Sequence, residues 1–301
     1  MRSRDIVWKK DENNPVICPQ SGTWTDQGTM TTDIVTMKSY YYMYFVGKSE
    51  HKNSIGLATI PRDCFDGKSW HEWSENPIIM PGGLGAFDSQ EVIDPAVIVQ
   101  EDEIKLYYSG IGGEKDMIGL ATSTDGHVFH KTSEPIMEGR APEVVLKNGV
   151  IYLFYIHQKA GKGYAIRLAT SRDGFTFQEE GTVFAPALNG WDSYTVTTPR
   201  VVLYKDIYIM TYAGDDTEAD HPKGLGHAFS RDLKNWVRYA GNPVLKVGAG
   251  HDWDSKAIWF GETLYHNGLF YLWYEGSNGI KSQIGLATCK EAIGAIGSEF
   301  L

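Results

Sequence analysis

Hydrophobic and polar positions along the chain fall into short runs broken by Gly, Pro, Asn and Asp, and the runs repeat. Ile55-Gly56-Leu57-Ala58-Thr59 returns as Ile118-Gly119-Leu120-Ala121-Thr122, Ile166-Arg167-Leu168-Ala169-Thr170, Leu225-Gly226-His227-Ala228-Phe229 and Ile284-Gly285-Leu286-Ala287-Thr288, at intervals of 63, 48, 59 and 59 residues. A period of that length suits a four-stranded unit with loops of variable length. Upstream of each copy lies an aromatic strand, such as Tyr41-Tyr42-Met43-Tyr44-Phe45 or Phe270-Tyr271-Leu272-Trp273-Tyr274, of the composition that packs on a pleated, half-buried surface. Downstream come a turn (Asp125-Gly126, Asp173-Gly174), an aromatic residue and a proline break, as from Trp70 to Asn76-Pro77 and from Trp236 to Asn242-Pro243. Each unit reads as a meander of hairpins.

The chain ends complete the pattern. Nothing resembling the aromatic-to-Asn-Pro segment follows Cys289, yet Trp8 to Asn14-Pro15-Val16-Ile17 repeats the spacing of Trp70 to Asn76-Pro77-Ile78-Ile79. An N-terminal strand that completes the last unit removes exposed sheet edges, which an open sandwich would not need. The expected fold is all-β: a five-bladed β-propeller of four-stranded antiparallel blades, closed by the N-terminal strand, forming one domain over 1–296 with 297–301 as an appended tail.

In such a fold the first strand of each blade lines a central channel, and its side chains alternate. Counting back from the aromatic strands aligns Asp94-Pro95-Ala96, Ala141-Pro142-Glu143, Thr198-Pro199-Arg200 and Phe260-Gly261-Glu262. Asp33-Ile34-Val35 joins them on the assumption that the first hairpin is two residues shorter. One face then carries Asp33, Asp94, Glu143, Arg200 and Glu262, and buried charge must be paired or used. The competing reading makes Arg200 a neutralising partner for Glu262 or Glu143. Phe87-Asp88-Ser89, Trp191-Asp192-Ser193 and Trp253-Asp254-Ser255, with Trp24-Thr25-Asp26 as a near match, precede these strands. They would put Trp24, Asp26, Phe87 and Trp191, with Trp259 beside Phe260, at a rim where a ring can stack on a sugar. A shared turn and packing role is the alternative, and it is preferred for the aspartates.

Composition narrows the partners. A net charge of -10 gives no cationic face for nucleic acid, whereas a neutral sugar is unaffected. Cys18, Cys64 and Cys289 have neither disulfide-framework nor zinc spacing. No apolar run reaches membrane-spanning length and no leader follows Met1, so no membrane partner and a cytoplasmic location are expected. Phosphate loops, nucleophile elbows and histidine pairs with metal spacing are absent. No cofactor is expected. A structural cation in the channel is compatible with the sequence but has no motif, and the oligomeric state is left open.

Val92-Ile93-Asp94-Pro95-Ala96-Val97, Arg140-Ala141-Pro142-Glu143-Val144 and Ser171-Arg172-Asp173-Gly174 make the chain resemble the five-bladed propeller glycosidases of glycoside hydrolase families 32, 43, 62, 68, 117 and 130. These families place an acid on the first strand of three blades, and the resemblance implies that Asp33, Asp94 and Glu143 occupy those places. The expected activity is hydrolysis of an oligosaccharide or glycoside, preferentially a furanoside such as an arabinofuranoside or fructofuranoside. Glu143 is then the acid, with Glu262 as its substitute; Asp33 is the base or nucleophile, and Asp94 orients the sugar. A phosphorylase would instead use cations to hold phosphate, with Arg140, Arg167, Arg200 and His227 as candidates. A third reading is a non-catalytic carbohydrate-binding propeller.

Overall fold

The computed structural model describes residues 6–50, 52–157, 163–218 and 221–290. Among these residues the regular elements are β-strands, apart from one 3-10 turn at Arg62–Cys64. The last residues of the expected domain and the 297–301 tail lie outside the described residues. The chain divides into two compact units, one spanning Ile17–His157 and Arg167–Gly181, the other 1–16, 158–166 and 182–301.

Three antiparallel meanders lie wholly or largely in the first unit. They run Gly28–Met37, Tyr40–Lys48, Asn53–Pro61 and His71–Glu72; then Glu91–Gln100, Glu103–Ile111 and Met117–Ser123, edged by His130–Lys131 and Met137–Glu138; then Arg140–Lys147, Val150–Ile156, Ile166–Ser171 and Gln178–Phe184. A parallel pair, Asn53 with Glu91, joins the first two. Two apolar clusters fill the unit, one around Tyr44, Leu57, Val92, Leu106 and Tyr108, the other around Ala96, Tyr107, Leu120, Leu153 and Tyr155. The second unit holds the meander Thr195–Tyr204, Ile207–Asp215 and Gly224–Ser230, edged by Val237–Arg238 and Leu245–Lys246, and the meander Ala257–His266, Leu269–Ser277 and Ser282–Lys290. The outer strand of this last meander is Lys9–Lys10, antiparallel to Ser282–Lys290.

The Asn-Pro signal has a clear physical cause. Asn76 accepts the N–H of Leu57 at 2.8 Å and donates to its carbonyl at 2.9 Å, so its amide substitutes for a strand neighbour. Asn242 does the same to His227 (2.8 and 2.9 Å), and Asn14 to Leu286 (2.8 Å for both bonds). The third strand of each of these meanders thus has its backbone groups satisfied where the edge strand ends.

The first hairpin of every meander is a two-residue turn whose leading residue is left-handed: Lys38, Glu101, Asn148, Lys205 and Asn267, with φ of 52°, 55°, 52°, 57° and 47°. Such φ values twist the turn in the sense the strands require. Seven residues before each lies a second left-handed residue, Thr31, Asp94, Ala141, Thr198 or Phe260 (φ 30°, 56°, 50°, 49°, 42°), at which the pairing register shifts. Each is a bulge that bends the first strand and re-aims its side chains. This corrects the alignment of the first unit. Its hairpin is no shorter than the others, so Thr31, not Asp33, matches Asp94. Asp33 pairs across to Tyr44 just as Ala96, Glu143, Arg200 and Glu262 pair to Tyr107, Phe154, Thr211 and Trp273.

Candidate active site

The first strands of the first unit bring acidic side chains into a buried, hydrogen-bonded set. Asp33, Asp94 and Glu143 are 7%, 4% and 5% exposed. Asp94 is held on both oxygens: Ser109 Oγ donates to Oδ2 at 2.8 Å and Thr31 Oγ1 to Oδ1 at 3.3 Å. Ser109 in turn accepts the N–H of Ala141 at 2.8 Å, linking Asp94 to the strand that carries Glu143. The carboxylate of Asp33 accepts the N–H of Val97. Arg140 lies between two carboxylates, with Nε 3.7 Å from Asp94 Oδ2 and Nη1 3.7 Å from Asp116 Oδ2, and its side chain is 36% exposed.

Glu91, at the start of Asp94's strand, accepts from Asn53 Nδ2 at 2.9 Å. Burial pushes its carboxyl above the usual range; Arg140 opposes that shift and Asp94 reinforces it. Sequence reasoning missed Thr31, Ser109, Glu91 and Asp116. Thr31 had a usable signal, since Trp24, Phe87, Trp191 and Trp253 each precede a bulge residue by seven positions.

In the second unit Arg200 and Glu262 meet as a buried pair, Nε to Oε2 3.6 Å, and the guanidinium lies 4.8 Å from the Phe260 ring centroid. The neutralising partner anticipated for Arg200 is therefore Glu262. His227, expected as a ligand contact, is completely buried. Its Nε2 accepts from Trp8 Nε1 at 2.8 Å, so Nδ1 carries the imidazole hydrogen, 3.2 Å from Thr211 Oγ1. Burial lowers its pKa to about 3. With both nitrogens engaged by protein and the ring neutral, His227 ties the N-terminal segment to its meander and offers nothing to a substrate.

The aromatic residues placed at a rim are half-buried and have packing partners. Trp24 lies over Gly47 and Gly56, Phe87 over Gly110, and Trp191 over Gly214 and Gly226; a Cβ at any of these glycines would collide with the ring. The aspartates that follow are buried acceptors: Asp88 takes Tyr108 Oη (2.8 Å) and Lys131 (2.7 Å), Asp192 takes Tyr212 Oη (2.9 Å) and Arg238 Nε (2.8 Å), and Asp254 takes Tyr274 Oη (2.9 Å) and Lys10 (2.5 Å). Thr25, not Asp26, fills the corresponding place after Trp24. Trp259 is half-buried with its ring centroid 6.2 Å from that of His221. Arg167 donates to Tyr155 Oη (3.2 Å) and Glu179 (2.8 Å). Of the four cations considered for phosphate, Arg140 alone is both partly exposed and beside a first-strand acid. Among the described residues no group of three or more His, Cys, Asp or Glu is arranged to hold a metal ion.

An all-β scaffold that gathers carboxylates and a guanidinium on adjacent first strands belongs with the glycoside-active enzymes. The family model described as beta-1,4-mannooligosaccharide phosphorylase, glycoside hydrolase family 130, matches residues 141–294. The chain belongs to that family. It is 25% identical over 268 residues to the uncharacterized protein Rv1502 of Mycobacterium tuberculosis, covering 82% of this chain and 87% of that one. The beta-1,2-mannobiose phosphorylase from Listeria innocua, solved with beta-1,2-mannobiose, has the same fold, with a TM-score of 0.76 at 14% identity over 97% of this chain and 99% of that chain. A second structure has a TM-score of 0.77 at 14% identity, covering 96% and 95%. It comes from work describing GH130 mannoside phosphorylases as including hydrolases that target beta-1,2 mannosidic linkages in Candida mannan.

Proposed function

We propose that the protein is a β-mannoside phosphorylase, cleaving the glycosidic bond with inorganic phosphate and releasing mannose 1-phosphate. The observation that carries this reading is the Asp94–Arg140 pair: a buried first-strand carboxyl group with a partly exposed guanidinium 3.7 Å away, so that one site offers both an acid and an anion-binding group. Phosphate drawn in by Arg140 attacks the anomeric carbon on the face opposite the leaving oxygen, the carbon–oxygen bond to the leaving sugar breaks, and the proton that oxygen takes up comes from Asp94 across the sugar ring. Phosphorolysis requires no base to activate water. Asp33, tied to the Val97 N–H, is therefore a positioning group, and Glu143 takes up sugar hydroxyls. A single displacement inverts configuration, so a β-mannoside yields α-mannose 1-phosphate.

The mannoside names of the family and its relatives support this substrate over the furanoside expected from sequence. Included in the reading is a five-bladed propeller, supported by the equal bulge-to-turn interval in all five meanders. Hydrolysis is the second reading, favoured by the hydrolases described among GH130 proteins. The test is incubation with β-1,4- and β-1,2-mannobiose, with and without phosphate, followed by NMR. The expected result is phosphate-dependent α-mannose 1-phosphate. Free mannose formed equally without phosphate selects the hydrolase, and no turnover of any mannoside overturns both readings.

A further inference from the structure

One outer strand departs from the pattern of the others. In four meanders the outer strands are two residues long (His71–Glu72, His130–Lys131 with Met137–Glu138, Val237–Arg238 with Leu245–Lys246, and Lys9–Lys10), whereas the third meander ends in the seven-residue Gln178–Phe184. The Asn-Pro element found at Asn14, Asn76 and Asn242 is missing here: Gln178-Glu179-Glu180-Gly181-Thr182-Val183-Phe184 runs on to Ala185-Pro186. Among the described residues no strand pairs with the outer side of Gln178–Phe184. Such an edge offers a row of backbone N–H and C=O groups to another chain, and short edge strands are a usual protection against that. Gln178, Glu179, Glu180 and Thr182 are exposed. Gly181, left-handed at φ 100°, leaves the middle clear, since a Cβ there would meet no atom within 4 Å.

We propose that this edge pairs with the same edge of a second copy of the chain, antiparallel across a two-fold axis at Gly181, so that two four-stranded sheets become one. The strand is self-complementary in that register. Full overlap sets Glu180 opposite Thr182, Glu179 opposite Val183 and Gln178 opposite Phe184 of the other copy. Acids occupy one half of the strand and uncharged residues the other, so no like charges stand directly opposite, the arrangement that would destabilise a cross-strand pair. Charge on an edge strand ordinarily deters association. Here Glu179 is already held by Arg167 Nη2 at 2.8 Å, and Glu180 by Thr170 Oγ1 at 3.2 Å, within their own sheet. The contact uses the same patch on both copies and therefore closes at a dimer.

Charge placed at Thr182 tests both the surface and the register. Thr182→Glu sets a carboxylate against Glu180 of the other copy at two symmetry-related places, and Thr182→Lys sets an ammonium there; the position is exposed, so either side chain projects into solvent in the monomer. Sedimentation velocity of wild type and both variants reads the dimer constant, in a series up to about 100 μM that covers weak specific association, with melting curves to confirm folding. Wild type should dimerise. The dimer should weaken by about two- to thirtyfold in Thr182→Glu and tighten by a similar factor in Thr182→Lys, two cross-strand charge pairs at their usual worth. A wild type that stays monomeric throughout the series, or a dimer that the two substitutions do not shift in opposite directions, overturns the proposal and leaves the mannoside reading untouched.

Discussion

His227 stands where the other third strands carry Leu57, Leu120, Leu168 and Leu286, and that exchange should make stability depend on pH. Its pKa is about 3 in the folded protein against 6.5 for the free side chain. A histidine with a depressed folded value stabilises fully above the unfolded value and loses that contribution as pH falls, because below about 6.5 the unfolded chain takes up the proton first. Between about pH 7.5 and pH 5 the loss from this one residue is about 2 kcal/mol. For a chain of 301 residues that corresponds to a fall of roughly 3 °C in Tm. The informative variant is the pair Trp8→Phe and His227→Leu. It restores the leucine of the repeat and removes the indole donor, which would otherwise be left buried without an acceptor at a cost of about 1–3 kcal/mol. Urea unfolding of wild type and the double variant across this pH range subtracts every other titrating group. The expected result is a wild-type loss exceeding that of the variant by about 2 kcal/mol. Parallel pH profiles would refute the claim that His227 is held neutral by burial.

Asp94→Asn should lower kcat by about 10²- to 10⁴-fold, the usual worth of a proton donor, with little change in Tm; stopped assays with phosphate check it. Arg140→Gln should raise KM for phosphate at least about tenfold, through loss of a charge-assisted bidentate contact, and the rate at saturating mannoside with varied phosphate reads it. Arg200→Met leaves Glu262 buried without its 3.6 Å partner and should cost about 3–5 kcal/mol in denaturant unfolding, partly recovered when Glu262→Gln is added. Asn14→Ala removes both hydrogen bonds to Leu286 and should cost about 2 kcal/mol by the same measurement, near 1 kcal/mol for each bond.

The meanders and the N-terminal outer strand were legible because their signals are local and repeated. Asn14, Asn76 and Asn242 each bond a third-strand backbone, and Trp24, Trp191 and Trp253 each require glycines beneath them, so spacing alone exposed the units. The ion pair of Arg200 with Glu262 was likewise foreseeable from charge on a strand interior. The register of the first strand in the first unit was not, because a left-handed residue is easy to find only when it is Gly or Asn. Here the position is occupied by Thr31, Asp94, Ala141, Thr198 and Phe260, which share no chemistry. Ser109 and Glu91 were missed for a different reason: each reads as an ordinary strand residue until the bulge at Asp94 turns its neighbours towards them.

Strained backbone at such a position costs of order 1–3 kcal/mol for each residue and is often taken to mark function. In this chain the strain occurs in all five first strands, whether the side chain is a methyl, a phenyl ring or a carboxylate. It therefore belongs to the scaffold, as the bend that a first strand needs between its sheet and its two-residue hairpin. What differs among the five is the side chain the bend carries and the polar groups that reach it. Asp94, reached by Ser109, Thr31 and Arg140, has all three. At Ala141 and Phe260 the same backbone presents no titratable group, and at Thr31 and Thr198 it presents a hydroxyl, so φ alone marks five equivalent bends and only the carboxylate with its partners sets Asp94 apart.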